Sequence, residues 1–311
     1  MSFSGRIFIN SGINSSRGLV FDKNGNLYCA NANNTISKIT SGGSVSIFAS
    51  GLSGIYDLAF DKKENLYVSN LGNNTISKIT PSGSVSVFAS VNGGPIGLAF
   101  DKSDNLYVAS NGINTIFKIT PSGSISTFAT GLTGPYGLSF YRDYLYCSNK
   151  VGNTISKITL NGIVTKFANV TNPQFLTFDK NGNLYTGNDN KLIKIRLNGI
   201  VKELTITGTT LDDVEGLAFD NKGNLFAVNS DISNIIKISL NATGILPFPL
   251  IKKKVNTISS KNEVLVTIQT LNPEDKNSTT LQSLILRYQN DRDALMEIEK
   301  AFGVSIVDHH C

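Results

Sequence analysis

A stretch of about forty residues recurs six times along the chain, and this period constrains the fold more than any single residue does. Its clearest copy begins Gly97-Leu98-Ala99-Phe100-Asp101 and continues Asn105-Leu106-Tyr107-Val108. It then reads Thr115-Ile116-Phe117-Lys118-Ile119-Thr120 and Gly123-Ser124-Ile125-Ser126-Thr127-Phe128. An anchoring phenylalanine returns at Phe21, Phe60, Phe100, Phe140, Phe178 and Phe219, with spacings of 39, 40, 40, 38 and 41. Each period holds four short runs rich in Val, Ile, Thr, Tyr and Phe, the side chains that fit a pleated, packed surface. Turn residues separate the runs: Asp22-Lys23-Asn24-Gly25, Asn31-Ala32-Asn33-Asn34 and Ser41-Gly42-Gly43 in the first copy. Links this short join antiparallel neighbours, so each repeat is a four-stranded meander. A regular array of such meanders predicts an all-β, six-bladed β-propeller.

The first residues add a strand without a blade of its own. Arg6-Ile7-Phe8-Ile9 has the character of a fourth run and precedes the first complete repeat. It is expected to close the ring beside residues 234–238, because a closed ring leaves no free sheet edge. Residues 242–248 compete for the same place. Either that segment leads away from the ring or residues 251–271 build a degenerate seventh blade; six blades fit better, since 252–271 offers at most two strand-like runs. The domain reading is a propeller over residues 1–250 and a small α/β appendage over 251–311.

Composition narrows the partners. The net charge of +5 comes from basic residues spread along the chain, whereas a nucleic-acid surface usually clusters them. The start lacks the apolar core of a secretory signal, and no run approaches the length of a membrane span. Cys29 and Cys147 fill equivalent slots in repeats one and four, too far apart across a ring to pair. The expected setting is cytoplasmic or otherwise intracellular, with a virion as a further possibility.

The variable positions lie where the chain enters the first strand of each repeat. The pairs are Arg17-Gly18, Tyr56-Asp57, Ile96-Gly97, Tyr136-Gly137, Gln174-Phe175 and Glu215-Gly216. Variation on a constant scaffold is where a binding site is written. Arg17, Tyr56, Asp57, Tyr136, Gln174 and Glu215 are therefore the candidate ligand-binding residues, clustered at one mouth of the central channel. The competing reading is an ion-pair cluster that seals the channel. Two once-per-repeat sets read as structural: the asparagines Asn31, Asn70, Asn149, Asn188 and Asn229 as turn clamps, and Lys38, Lys78, Lys118, Lys157, Lys194 and Lys237 as stems packed between blades. The Asp-Lys-Asn-Gly strings lack the closing glutamate of a calcium loop.

The phrases Gly-Pro-Ile-Gly-Leu-Ala-Phe-Asp at 94–101, Asn65-Leu66-Tyr67-Val68-Ser69-Asn70 and Thr75-Ile76-Ser77-Lys78-Ile79-Thr80-Pro81-Ser82-Gly83 resemble the NHL repeat. They are also similar to the repeats of virginiamycin B lyase and of the gluconolactonase group. The resemblance implies a propeller. For function it implies either a surface for proteins or RNA, as in NHL propellers, or a metal-assisted enzyme, as in the lyase and the lactonases. The chain's histidines are His309 and His310, both in the tail, so the propeller lacks the histidine that resemblance to the lyase implies for acid–base work. Arg17 stands where the lactonase pattern has an acidic residue. The expected function is a non-catalytic binding scaffold without metal or cofactor, presenting its channel-mouth face to a protein or small ligand, with a protein partner expected. A divergent metal-assisted lyase or hydrolase acting at the channel mouth is the alternative, and a structural component of a virion or surface assembly a third reading.

After residue 250 the pattern changes. Residues 263–268 read as a strand, and Ser278 or Thr279 can cap a helix. Leu281, Leu284, Ile285, Tyr288, Leu295, Ile298 and Phe302 follow helical spacing and are expected to form a docking or homo-oligomer interface. Residues 304–307 read as a last short strand, and His309-His310-Cys311 as a frayed end.

Overall fold

The computed structural model describes residues 2–240, 258–260 and 263–265. The chain divides into two compact units, Met1–Leu246 and Pro247–Cys311. Within the second, Ile258–Ser260 and Glu263–Leu265 form an antiparallel pair. The helical stripe expected at Leu281, Leu284, Ile285, Tyr288, Leu295, Ile298 and Phe302 lies outside the described residues, as do residues 242–248 and the terminal His309-His310-Cys311.

The first unit is an all-β propeller. Four repeats each form a separate four-stranded sheet in chain order, the first built from Leu19–Phe21, Leu27–Ala30, Ile36–Ile39 and Val45–Ala49. The last two repeats share one eight-stranded sheet. The join is the N-terminal strand Ser2–Ile9. It runs antiparallel to Asn234–Ser239, placing Arg6 opposite Lys237 and Ile7 opposite Ile236. Its first residues also run parallel to Val201–Thr207, with Phe3 opposite Ile206. The second pairing was not foreseen in the sequence. It covers the outer edge of the fifth repeat and the last strand of the sixth with one segment, so neither edge is left open to pair with another chain.

An aromatic relay ties the sheets together. Tyr28 sits edge-on to Phe48 of its own repeat, at 5.0 Å between centroids, and to Phe60 of the next, at 5.2 Å. Tyr67, Tyr107 and Tyr146 repeat this arrangement. The sixth repeat has Phe226 in the tyrosine's place, and it meets both Phe8 of the N-terminal strand and Phe21 of the first repeat at 5.1 Å. Each edge-on pair contributes about 0.5–1.5 kcal/mol beyond its burial. The anchoring phenylalanines recur because each one fills the joint to the preceding repeat.

The same tyrosines anchor the recurring turn. Asp22 accepts the backbone N–H groups of Asn24 and Asn26 on Oδ1, and the Asn26 amide and the Tyr28 hydroxyl on Oδ2. Asp61, Asp101 and Asp179 do the same. Both carboxylate oxygens are committed to the turn, which is the anchoring role the sequence assigns to these strings. The turn needs a left-handed residue, supplied by Gly25 at φ 80° and by Glu64 and Asp104 in later copies. The once-per-repeat lysines lie over the ring of the adjacent strand, with Lys38 Nζ 5.5 Å from the Tyr28 centroid. Cys29 and Cys147 are buried free thiols, their ionisation pushed up to about 11 and about 12 by burial.

Candidate functional site at the channel mouth

The residue pair entering each repeat is set apart by a break in strand pairing. Register shifts fall between Ile55 and Leu58, Pro95 and Leu98, Pro135 and Leu138, and Val214 and Leu217. A bulge bends the strand and re-aims its side chains. In repeats one and five the strand starts only after the pair, at Leu19 and Leu176. The glycine in most pairs is required by close approach: a Cβ on Gly97 would run into Tyr136 O, and one on Gly216 into Arg17 O. With the backbones drawn this tightly together, the neighbouring side chains of Arg17, Tyr56, Tyr136 and Glu215 converge.

Arg17 is the best-anchored of them. Its Cζ lies 4.2 Å from the Tyr56 ring centroid, Nη1 donates to Ile55 O at 3.2 Å, and Nε is 4.0 Å from Glu215 Oε2. Tyr56 meets Tyr136 edge-on at 6.3 Å, and Tyr136 packs on Phe175 at 5.0 Å. Ile96, Tyr136 and Phe175 form a buried apolar cluster flanked by Tyr56 and Leu71. On the far side of Tyr136, Lys150 Nζ lies 4.6 Å from the ring centroid and donates to Gln174 Oε1 at 3.0 Å. A cavity of about 720 Å³ opens over this floor, with Leu71, Ile96 and Val151 as apolar walls and Lys150 as its cation.

Glu215 is 8% exposed, and its Oε2 makes no hydrogen bond. Burial pushes its ionisation up to about 7; Asp213 adds to this, while Arg17 and Lys150 oppose it. Burial, helped by the charge of Glu215, also holds the Tyr136 hydroxyl well above the ordinary phenol range. Asp213 is raised by partial burial and by Asp231. It lines a separate cavity of about 440 Å³ with Asp189, Asp212 and Asp231.

Asp57 does not join the mouth. Oδ1 accepts Leu58 N at 2.8 Å and Oδ2 accepts Leu98 N at 2.9 Å, which stitches the second sheet to the third. It lines a cavity of about 320 Å³ along the inner strands, among Leu19, Leu98, Leu138 and Leu217. Burial raises its ionisation to about 7 against those two N–H groups. Arg17, Tyr56, Tyr136 and Glu215 are thus brought together, Gln174 reaches them through Lys150, and Asp57 faces the channel below. Their exposure is lower than a solvated mouth would give: Tyr136 is 5% and Gln174 1% exposed. The asparagine set acts as turn clamps, as Asn31 shows by donating to Thr35 Oγ1 at 3.0 Å and Ser37 Oγ at 2.9 Å.

Lys150 was missed in the sequence, and its signal was there. It follows the strand-ending Asn149 in a slot that other repeats fill with Ala32, Leu71, Asp189 or Ser230, and among these it is the cation.

Fold and site together define a β-propeller with a desolvated, charged and aromatic channel mouth. The sequence profile of the virginiamycin B lyase family matches residues 53–263, and the chain belongs to that family. No curated protein sequence matches it. Among solved structures, a streptogramin B lyase is 17% identical with a TM-score of 0.63, covering 78% of this chain and 99% of its own. A catalytically inactive histidine-to-alanine variant of virginiamycin B lyase from Staphylococcus aureus, solved with quinupristin, is 23% identical with a TM-score of 0.60, covering 72% and 80%. A gluconolactonase from Xanthomonas campestris is 15% identical with a TM-score of 0.67, covering 76% and 89%. At these identities the likeness establishes the fold.

Family membership corrects the expectation of a non-catalytic binding scaffold. That expectation rested on the missing propeller histidine. A buried carboxylate whose ionisation lies near neutrality can supply the same proton-accepting function.

The metal implied by the resemblance does not fit the residues present. Among the described residues no group of three or more histidine, cysteine, aspartate or glutamate side chains converges to hold an ion. At the mouth, Glu215 already faces the guanidinium of Arg17. Among the described residues, no helix is long and apolar enough to cross a membrane.

Proposed function

We propose that this protein is a lyase acting at the channel mouth of a six-bladed propeller whose ring the N-terminal strand completes. One observation carries the reading: Glu215 is a buried carboxylate with an unbonded oxygen and an ionisation raised to about 7. That combination is a base held ready at neutral pH. A lyase breaks a bond by elimination. The Glu215 carboxylate takes a proton from a carbon next to a carbonyl, and the C–H electron pair becomes a C=C bond. The bond from the adjacent carbon to oxygen breaks, and its electrons leave on that oxygen. The protonated Glu215 then gives its proton to the leaving oxygen or to water.

The remaining residues hold and shield the substrate. Leu71, Ile96 and Val151 offer an apolar wall for its body, and the Tyr136–Phe175 floor keeps the channel side dry. Virginiamycin B, named for the relatives' activity, and quinupristin, present with one of them, are the first compounds to test. Mass spectrometry of the reaction separates the outcomes: elimination leaves the summed product mass equal to that of the substrate, whereas hydrolysis adds one water. Turnover that falls about 10²–10⁴-fold in Glu215→Gln supports the reading. Unchanged turnover in that variant removes it.

A further inference from the structure

The misfit between the implied metal and these residues has a chemical counterpart at the same site. Elimination next to a carbonyl builds negative charge on the carbonyl oxygen, and a cation fixed in a dry site stabilises that charge most. Arg17 is fixed on three sides, by the face of Tyr56, by Ile55 O and by Glu215. It stands 4.0 Å from the carboxylate that takes the proton. Lys150, held by Gln174, places a second cation beyond Tyr136. A divalent ion brought to Glu215 would meet both positive charges, and although Asp213 lies near enough to raise the Glu215 ionisation, no group of three or more histidine, cysteine, aspartate or glutamate side chains converges there among the described residues. A guanidinium also offers a planar fork of N–H donors that matches a two-oxygen anion, which an ammonium cannot do.

We infer that Arg17 takes the place of a divalent cation in this family member, so that the mouth binds the carbonyl oxygen of an apolar ester through a guanidinium and works without metal. The inference rests on reading the mouth as the lyase site, and it is tested without turnover. The probe is phenylacetate, an aromatic body bearing a planar two-oxygen anion, with phenylacetamide as its neutral match. Calorimetry on the full chain is expected to show phenylacetate binding that a chelator leaves unchanged and that exceeds phenylacetamide binding. Arg17→Gln is expected to weaken it at least about tenfold, and Arg17→Lys to weaken it less, since charge persists without the fork. Circular dichroism melts of both variants establish that they fold, and if Arg17→Gln does not, the comparison of Arg17→Lys with the native chain decides.

Manganese titrated into the chelator-treated full chain, followed by electron paramagnetic resonance, is expected to remain free. Stoichiometric manganese binding that Glu215→Gln abolishes would overturn the inference. So would phenylacetate binding that needs added metal or ignores substitution of Arg17. If the binding results hold but neither virginiamycin B nor quinupristin nor any other ester is turned over, the lyase reading fails and the guanidinium site stands.

Discussion

Arg17 reaches Glu215 across the junction between the last repeat and the first, Nε to Oε2 at 4.0 Å, although most of the chain separates them. The pair exists only because the ring closes. Its electrostatics are unequal: the carboxylate is nearly buried, while a quarter of the arginine side chain remains exposed, 10% against 26%. Burial therefore outweighs the nearby guanidinium, and Glu215 ionises near neutrality rather than well below it. Closure of the fold and the raised ionisation of Glu215 are the same structural event.

Activity should follow the ionisation of Glu215. With the carboxylate as the proposed proton acceptor, kcat/KM is expected to rise as pH passes through about 7 and to level off above it. A pH–rate profile measures this. In Arg17→Lys the inflection should stay near neutrality, since a positive charge is retained. A profile flat from pH 5 to 9 would show that another group accepts the proton.

Stability should move the opposite way. A carboxylate raised from 4.5 to about 7 by folding favours the protonated folded state. Its contribution is fully present below pH 4.5 and is lost as pH rises through about 7. Glu215→Gln should therefore match the native melting point at pH 4 and exceed it at pH 8, by at most about 3 kcal/mol from the size of the shift. The loss of a partner for Arg17 reduces that ceiling. Equal or lower stability of the variant at pH 8 would contradict the assigned burial cost.

The N-terminal strand should be indispensable. Ile9 is 6% exposed and belongs to the core cluster between the first and sixth repeats, and Phe8 packs edge-on against Phe226. Ile9→Ala is expected to cost about 2–5 kcal/mol in denaturant unfolding. Deleting residues 1–10 should leave two sheet edges unpaired and produce aggregation in light scattering. A soluble deletion variant with native melting would show that the ring does not depend on this strand.

The glycine at the mouth couples packing to chemistry. Gly216 faces Arg17 O so closely that an added Cβ has no room, and what blocks it is backbone rather than a flexible side chain. Gly216→Ala should displace Arg17 from Glu215, lowering turnover while also destabilising the seam. Gly25→Ala serves as the control, with open space at its Cβ but φ 80°. It should cost about 1 kcal/mol of stability through backbone strain and leave turnover alone. Equal effects of the two on turnover would dissociate the seam from the site.

The sequence by itself determined the propeller. Its forty-residue period, its four strand-like runs and its recurring Phe21, Phe60 and Phe100 are local signals that repeat, and repetition makes them legible. It also marked Arg17, Tyr56, Tyr136 and Glu215, because each breaks an otherwise constant phrase. Tertiary structure decided which of these act together. Asp57 and Tyr56 are neighbours in the chain, yet the bulge sends one to the inter-sheet N–H groups and the other to the mouth. Lys150 reaches Tyr136 within one repeat, whereas Glu215 lies on another, and only the assembled ring brings its charge within range of both. The raised ionisation of Glu215 comes from exclusion of water by the surrounding repeats. Desolvation depends on everything packed around a group, so no stretch of sequence carries it, and it emerges only when the ring is complete.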